Sequence, residues 1–259
     1  MNILFIGDIV GEPGRKAVKL HLSSLMDEVN PALVIANCEN AAGGFGITPA
    51  IADELLSQGV DVLTSGNHIW DKKEIYDFIA KEPRLIRPAN YPDGAPGRGS
   101  VTVMARNGVK VGVLNLMGRV FLANLDCPFK AGRTECERMR AEGAKVIFID
   151  FHAEATSEKV ALGRYLDGYA TALVGTHTHI QTADERILEK GTAYLTDVGM
   201  TGPQDSVIGV TAELAIEKFL TQMPKRFDTA AGPGTLQAVV VTADPATGKA
   251  IGIERKNLT

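Results

Sequence analysis

Four of the five histidines in this chain, His68, His152, His177 and His179, come just after short apolar runs that read as strands. Surface histidines would be scattered, and packing histidines would not collect at strand ends. The fold therefore has to bring distant strand ends to one place. The densest instance is GTHTH (residues 175–179), directly behind the apolar run TALV. In an extended segment residues i and i+2 point the same way, so both rings are expected to face one site. His21, inside the first helix pattern, is expected at the surface.

The chain pattern supplies such a fold. Residues 2–6 read as a buried strand ending at Gly7-Asp8, followed by a glycine-rich loop and a helix over 15–29, with Val18, Leu22, Leu25 and Val29 on one face. Residues 32–36 form a second strand ending at Asn37-Cys38-Glu39-Asn40. Thr48-Pro49 then opens a helix by the cap rule, and residues 60–63 form a third strand ending at Asn67-His68. Repeated strand–loop–helix units build a mainly parallel sheet. Asn107-Gly108 joins residues 100–106 to 109–116 as a hairpin, so antiparallel pairing also enters.

Residues 119–133 are expected to be irregular, a candidate flap. A helix to about 143, a strand over 146–151, a helix over 155–166, strands at 171–174 and 193–196, and a closing hairpin over 237–242 and 250–254 complete the pattern. With no linker, low-complexity tract or repeat, residues 1–259 read as a single α/β domain.

A net charge of −4, with cations and anions well mixed, argues against a broad basic face for duplex nucleic acid. Three cysteines without CxxC spacing argue against a disulfide framework and fit a cytoplasmic protein. Cys38 is expected to be a buried structural residue. The N-terminus lacks the basic region of a signal peptide, and no run reaches the roughly 20 apolar residues of a membrane span. A soluble protein with no membrane partner is expected.

Five strand ends thus carry coordinating groups: Asp8, Glu39-Asn40, Asn67-His68, His152 and His177/His179. In open α/β sheets ligands bind beyond the carboxyl ends of the strands, so these groups are able to converge. Two carboxylates, two carboxamides and four imidazoles exceed the needs of one tetrahedral ion. They suit two ions sharing a bridging carboxylate. Mixed oxygen and nitrogen ligation without thiolate admits iron, manganese, zinc, cobalt or nickel. Two cations holding a bridging hydroxide fit in-line attack on a phosphoester.

His68 adjoins Asn67, and neighbouring strand-end residues usually point apart. Its expected work is to donate a proton to the leaving group or to hold a phosphate oxygen, with Asp71 either orienting its ring or capping a helix from Lys72. Gly11, Gly14, Arg15 and Lys16 lack the spacing of a phosphate loop and read as a turn into the first helix. Phe45 or Trp70 could stack on a base or equally pack into the core, Arg119 could meet an anion, and residues 197–202 could line the pocket.

The ordered series Gly7-Asp8, Glu39-Asn40, Gly66-Asn67-His68, His152 and Gly175-x-His177-x-His179 resembles the calcineurin-like metallophosphoesterases. More narrowly, NCENAAGGFGIT, TSGNHIWDKKEI, GTHTHIQTADERIL and YLTDVGMTGP are similar to the bacterial YmdB-like branch over nearly the whole chain. The resemblance implies a four-layer α-β-β-α sandwich with mixed sheets and a dinuclear centre, iron or manganese foremost. It also implies phosphodiesterase activity on cyclic nucleotides, 2′,3′-cyclic ones above all.

By motif position, Asp8, Asn40 and His179 would hold the first ion, and Asn67, His152 and His177 the second. Glu39 would bridge them, and His68 would be the catalytic histidine. Two positions depart from the wider superfamily. Its Asp-x-His at the first strand is Asp8-Ile9-Val10 here, and its bridging Asp is Glu39. Other functions on the same residues are a phosphomonoesterase, a ribonuclease acting on RNA ends, or a nucleotide-sensing regulator without turnover. A homo-oligomer is compatible with all of them.

Overall fold

The computed structural model describes residues 1–259. In chain order the elements are β1 (Asn2–Ile6), β2 (Asp8–Ile9), α1 (Gly11–Val29), β3 (Leu33–Asn37), α2 (Pro49–Ser57), β4 (Val62–Thr64) and α3 (Ile75–Ile79). Then come β5 (Ser100–Met104), β6 (Lys110–Met117), α4 (Pro128–Ala141), β7 (Val146–His152), α5 (Thr156–Tyr165) and β8 (Ala172–Thr176). Last are β9 (Arg186–Ile187), β10 (Ala193–Leu195), β11 (Met200–Pro203), α6 (Ala212–Thr221), β12 (Gly234–Ala243) and β13 (Ala250–Leu258).

They form two mixed sheets. One runs β2-β11-β12-β1-β3-β4, with β13 also on β12; the other runs β5-β6-β7-β8-β10-β9. β1, β3 and β4 are mutually parallel, as are β6, β7, β8 and β10.

Strand alternation sorts the core into three layers of packing. Leu4 and Ile6 of β1 face Val18, Leu22 and Leu25 of α1 and Leu55 of α2. Ile3 and Phe5, on the other face, meet Val113, Phe148 and Val174 of the second sheet, and the Phe5 and Phe148 rings stack at 5.3 Å. Ile147, Ile149 and Phe151 of β7 then face Cys136 and Met139 of α4 and Leu162 of α5. This is the α-β-β-α sandwich expected from the resemblance. The parallel strands of each sheet are buried on both faces and so read as continuous apolar runs.

Several boundaries differ from the sequence expectation. α1 starts at Gly11, not 15, because Glu12 and Pro13 sit in its first turn, where an acid and a proline are favoured. α4 starts at Pro128, so only residues 119–127 of the expected flap are irregular. Residues 200–203 of the DVGMTGP stretch pair as β11 with β2 and β12, and β13 runs four residues past the expected end because its outer positions carry charge instead of an apolar alternation. α6 went unforeseen; three of its six apolar residues, Ile216, Phe219 and Leu220, are exposed. His21 is half-buried. No helix is long and apolar enough to cross a membrane.

Candidate metal centre

The carboxyl ends of β1, β3 and β4 in one sheet and of β7 and β8 in the other open on the same rim. Asp8, Glu39, Asn40, Asn67, His152, His177 and His179 all emerge there. Their contacts fall into two groups. In one, His152 Nε2 lies 2.9 Å from Asn67 Oδ1, 3.0 Å from His177 Nδ1 and 3.1 Å from Glu39 Oε1. In the other, His179 Nε2 lies 3.2 Å from Asn40 Nδ2 and 3.8 Å from Asp8 Oδ2. Glu39 Oε1 touches both, since Asn40 Nδ2 is 3.2 Å from it.

Gly66 makes this convergence sterically feasible. A Cβ there would overlap Glu39 Oε2 and the His152 ring, so the motif needs glycine before Asn67 for close approach.

GTHTH does not converge in the way the sequence suggested. β8 ends at Thr176, and His177 and His179 both have positive φ, 99° and 66°. Such conformations cost non-glycine residues of order 1–3 kcal/mol each and persist only when the surroundings hold them. The two rings therefore converge through a left-handed turn, not through strand alternation. One constraint is Asp8, whose Oδ2 accepts the His177 backbone N–H at 2.8 Å.

Each histidine of the two groups has one ring nitrogen fixed by an outer acceptor, leaving the other nitrogen for the site. Thr176 Oγ1 donates to Asp150 Oδ1 (2.8 Å), so it accepts from His152 Nδ1 (3.0 Å). Glu154 Oε2 accepts from His177 Nε2 at 3.1 Å, and the Ile208 carbonyl from His179 Nδ1 at 2.8 Å. His152 Nε2, His177 Nδ1 and His179 Nε2 are thereby directed inward. Outer acceptors of this kind fix ring orientation and tautomer in metal-ligating histidines.

Electrostatics point the same way. Burial pushes the Asp8 carboxyl well above the usual range, and the neighbouring Glu39 and Asp197 add to the shift. Burial also opposes charge on Glu39 and His152, but each outweighs it for the other. Glu39 falls to about 2 and His152 rises to about 9. Burial lowers His177 to about 3 and lowers His179 as well. Two buried acceptors, Asp8 Oδ1 and Asn40 Oδ1, have no hydrogen-bond partner, a condition that ordinarily costs about 1–3 kcal/mol. A buried set of oxygen and imidazole donors with unsatisfied acceptors fits cations. Glu39, His152 and His177 offer ligand atoms all within 4.8 Å of one another.

His68 stands apart from these groups. Its backbone N–H donates to Glu39 Oε2 (3.1 Å), and its ring turns outward so that Nδ1 meets Asp71 Oδ2 at 2.7 Å. The ring also lies edge-on to Phe45, with centroids 5.0 Å apart. Both line a cleft of about 320 Å³ whose floor includes Glu39, Asn40, His177 and His179 and whose far wall includes Ile208, Val210 and Phe227.

Trp70 is not in that cleft; it packs edge-on against Tyr76 and Tyr91. Arg119 is exposed outside it, its backbone N–H bound to Glu158. Residues 197–202 do not line it either. Asp197 is buried behind the histidine turn, and the following residues enter β11. Cys38 is buried, its thiol 3.2 Å from the Thr64 carbonyl.

Sequence reasoning missed Glu154 and the Asp150–Thr176 pair. Their only signal is an acid two residues either side of His152. The Ile208 carbonyl has no sequence signal at all.

The sequence pattern of the family described as YmdB-like protein matches residues 4–256. A Bacillus subtilis (strain 168) protein, 2′,3′-cyclic-nucleotide 2′-phosphodiesterase, is 54% identical over 258 residues, covering 98% of this chain and 96% of its own. A crystal structure of a hypothetical protein from Thermus thermophilus superposes with a TM-score of 0.93 at 43% identity, covering 99% of this chain and 98% of that one. A novel phosphatase from Mycoplasma pneumoniae superposes with a TM-score of 0.93 at 34% identity, covering 100% and 93%.

Proposed function

Since the chain belongs to the YmdB-like family, we propose that it is a metal-dependent phosphodiesterase that hydrolyses 2′,3′-cyclic nucleotides, working as one domain over residues 1–259 in the cytoplasm. The observation that carries this reading is the set of three inward-directed imidazole nitrogens beside the buried, unpartnered oxygens of Asp8 and Asn40. Asp8, Asn40 and His179 would hold one ion, Asn67, His152 and His177 the other, with Glu39 between. Iron and manganese suit this donor set best; zinc, cobalt and nickel are compatible with it.

A bound pair of cations would supply an acidified water and neutralise charge on the non-bridging phosphate oxygens. The chain's own residues supply the rest. His68, at the cleft wall with Nδ1 held by Asp71, is placed to protonate the leaving ribose oxygen from Nε2. The apolar wall of Phe45, Ile208, Val210 and Phe227 offers a surface for the nucleoside and keeps water from its face.

The test combines metal analysis with a substrate panel. Purified protein should carry two transition-metal ions per chain. It should hydrolyse 2′,3′-cyclic AMP faster than 3′,5′-cyclic AMP, a phosphomonoester or single-stranded RNA. Protein without bound transition metal, or one that prefers the monoester, contradicts the proposal.

A further inference from the structure

Lys159 is a lysine almost without access to water, on the inner face of α5, and nothing in the proposed chemistry uses it. Its Nζ lies 2.6 Å from Asp197 Oδ2, with the two side chains 1% and 0% exposed. Lysine and aspartate are rarely buried so fully unless paired, and replacing such a pair by apolar groups is often neutral or stabilising. A buried pair that persists invites the question of what geometry it fixes.

Asp197 answers it. The same Oδ2 accepts the Thr178 backbone N–H at 3.2 Å and the Thr178 hydroxyl at 2.7 Å, while Oδ1 accepts the Gly199 N–H at 2.8 Å. The backbone of Asp197 is pinned in turn by Thr182, whose hydroxyl accepts its N–H at 2.9 Å and whose own N–H donates to its carbonyl at 3.0 Å. Thr178 is the residue between His177 and His179, both held at positive φ. Both carboxylate oxygens of Asp197 are thus engaged by Lys159 and by groups of the turn and of the loop behind it. Asp197 lies close to the centre without being a ligand.

His177 belongs to the group with His152 and Glu39, and His179 to the group with Asp8 and Asn40. A single turn therefore carries one nitrogen for each candidate ion. We infer that the Lys159–Asp197 ion pair positions this turn through Thr178, and so sets the spacing between the two cation sites. Lys159, Asp197 and Thr178 are positioning residues: the Lys159–Asp197 pair is buried away from the cleft, and Thr178, which borders it, turns its hydroxyl to Asp197. The inference rests on the dinuclear reading given above.

The experiment uses the full-length protein, stripped of metal by chelation and titrated with Mn²⁺. Affinity and stoichiometry are followed by calorimetry, and ion–ion exchange coupling by electron paramagnetic resonance. Thr178→Val removes only the hydroxyl bond to Asp197. It should melt close to the wild type yet bind both Mn²⁺ ions about tenfold more weakly or worse, as outer-shell losses do, with altered coupling. Lys159→Met and Asp197→Asn should show larger losses in the same direction, at both sites together.

A purely structural pair would lower the melting temperature and leave the Mn²⁺ affinities of folded protein unchanged. If Thr178→Val binds two ions with wild-type affinities and coupling, the inference is overturned however Lys159→Met behaves, and the dinuclear reading stands. If the wild type itself takes up fewer than two ions, the dinuclear reading fails and the inference with it.

Discussion

His68 Nδ1 and Asp71 Oδ2 sit 2.7 Å apart, three residues from one another in the turn that follows β4. The pairing leaves Nε2 as the nitrogen available to the cleft, whereas the inward-directed nitrogens belong to His152, His177 and His179. In the proposed reading His68 acts on the substrate and not on the ions. His68→Ala should keep two metals per chain and lower kcat by roughly 10²- to 10⁴-fold, the usual worth of a positioned acid. Asp71→Asn should lower kcat less, since the ring stays but its orientation loosens. Metal analysis beside steady-state kinetics checks both. A fall in metal content in His68→Ala would make His68 a ligand and end this assignment.

The paired shifts of Glu39 and His152 set the pH dependence of metal uptake. In stripped protein at pH 7, His152, raised to about 9, carries a proton, while His177, lowered to about 3, and Glu39, at about 2, do not. A cation must displace the His152 proton, because only the neutral imidazole ligates. Binding at pH 7 should therefore release about one proton from this site. Affinity should rise with pH up to about 9 and flatten beyond. Calorimetry in buffers of different ionisation enthalpy counts the proton directly. Release of none at pH 7 would mean that His152 is not displaced by the ion.

Phe45 lies edge-on to His68 at the cleft wall and remains 37% exposed, an unusual position for a ring whose only work is packing. A base resting on it would gain roughly 1–3 kcal/mol. Phe45→Ala should accordingly raise KM for 2′,3′-cyclic AMP by about 5- to 100-fold, with a smaller change in kcat. Steady-state kinetics with a cyclic ribose phosphate lacking the base makes the control: the substitution should leave its KM nearly unchanged. Equal effects on both substrates would assign Phe45 to His68 alone.

The strand ends were legible in the sequence because a parallel strand buried on both faces reads as an unbroken apolar run, and its last residue is then easy to find. Asp8, Glu39, Asn67 and His152 all follow from that rule. The conformation of GTHTH was not legible, since its two positive φ angles come from Asp8 and Asp197, which lie 169 and 19 residues away from the atoms they hold. α6 was missed because its most apolar residues are exposed, so its pattern does not match a core. Arg119 and Trp70 carried suitable chemistry, but local sequence cannot tell which side of a loop faces a cleft.

Gly66 supplies the sharpest steric test of the centre. Its φ lies outside the left-handed region, so alanine there meets no backbone strain, and only the space filled by the new methyl group matters. That group would overlap Glu39 Oε2 and the His152 ring at once. Both are fully buried with no room to retreat, and overpacking of this kind costs about 1–3 kcal/mol. Relief is available only by displacing His152, which the proposal places on the second ion, and Glu39, which it places between the two. Gly66→Ala should therefore fold with a lowered melting temperature and lose metal from the His152 site before the His179 site. Metal analysis should give close to one ion per chain where the wild type holds two. Two tightly held ions in Gly66→Ala would show that Glu39 and His152 are free to move without consequence, and would remove them from the ligand set.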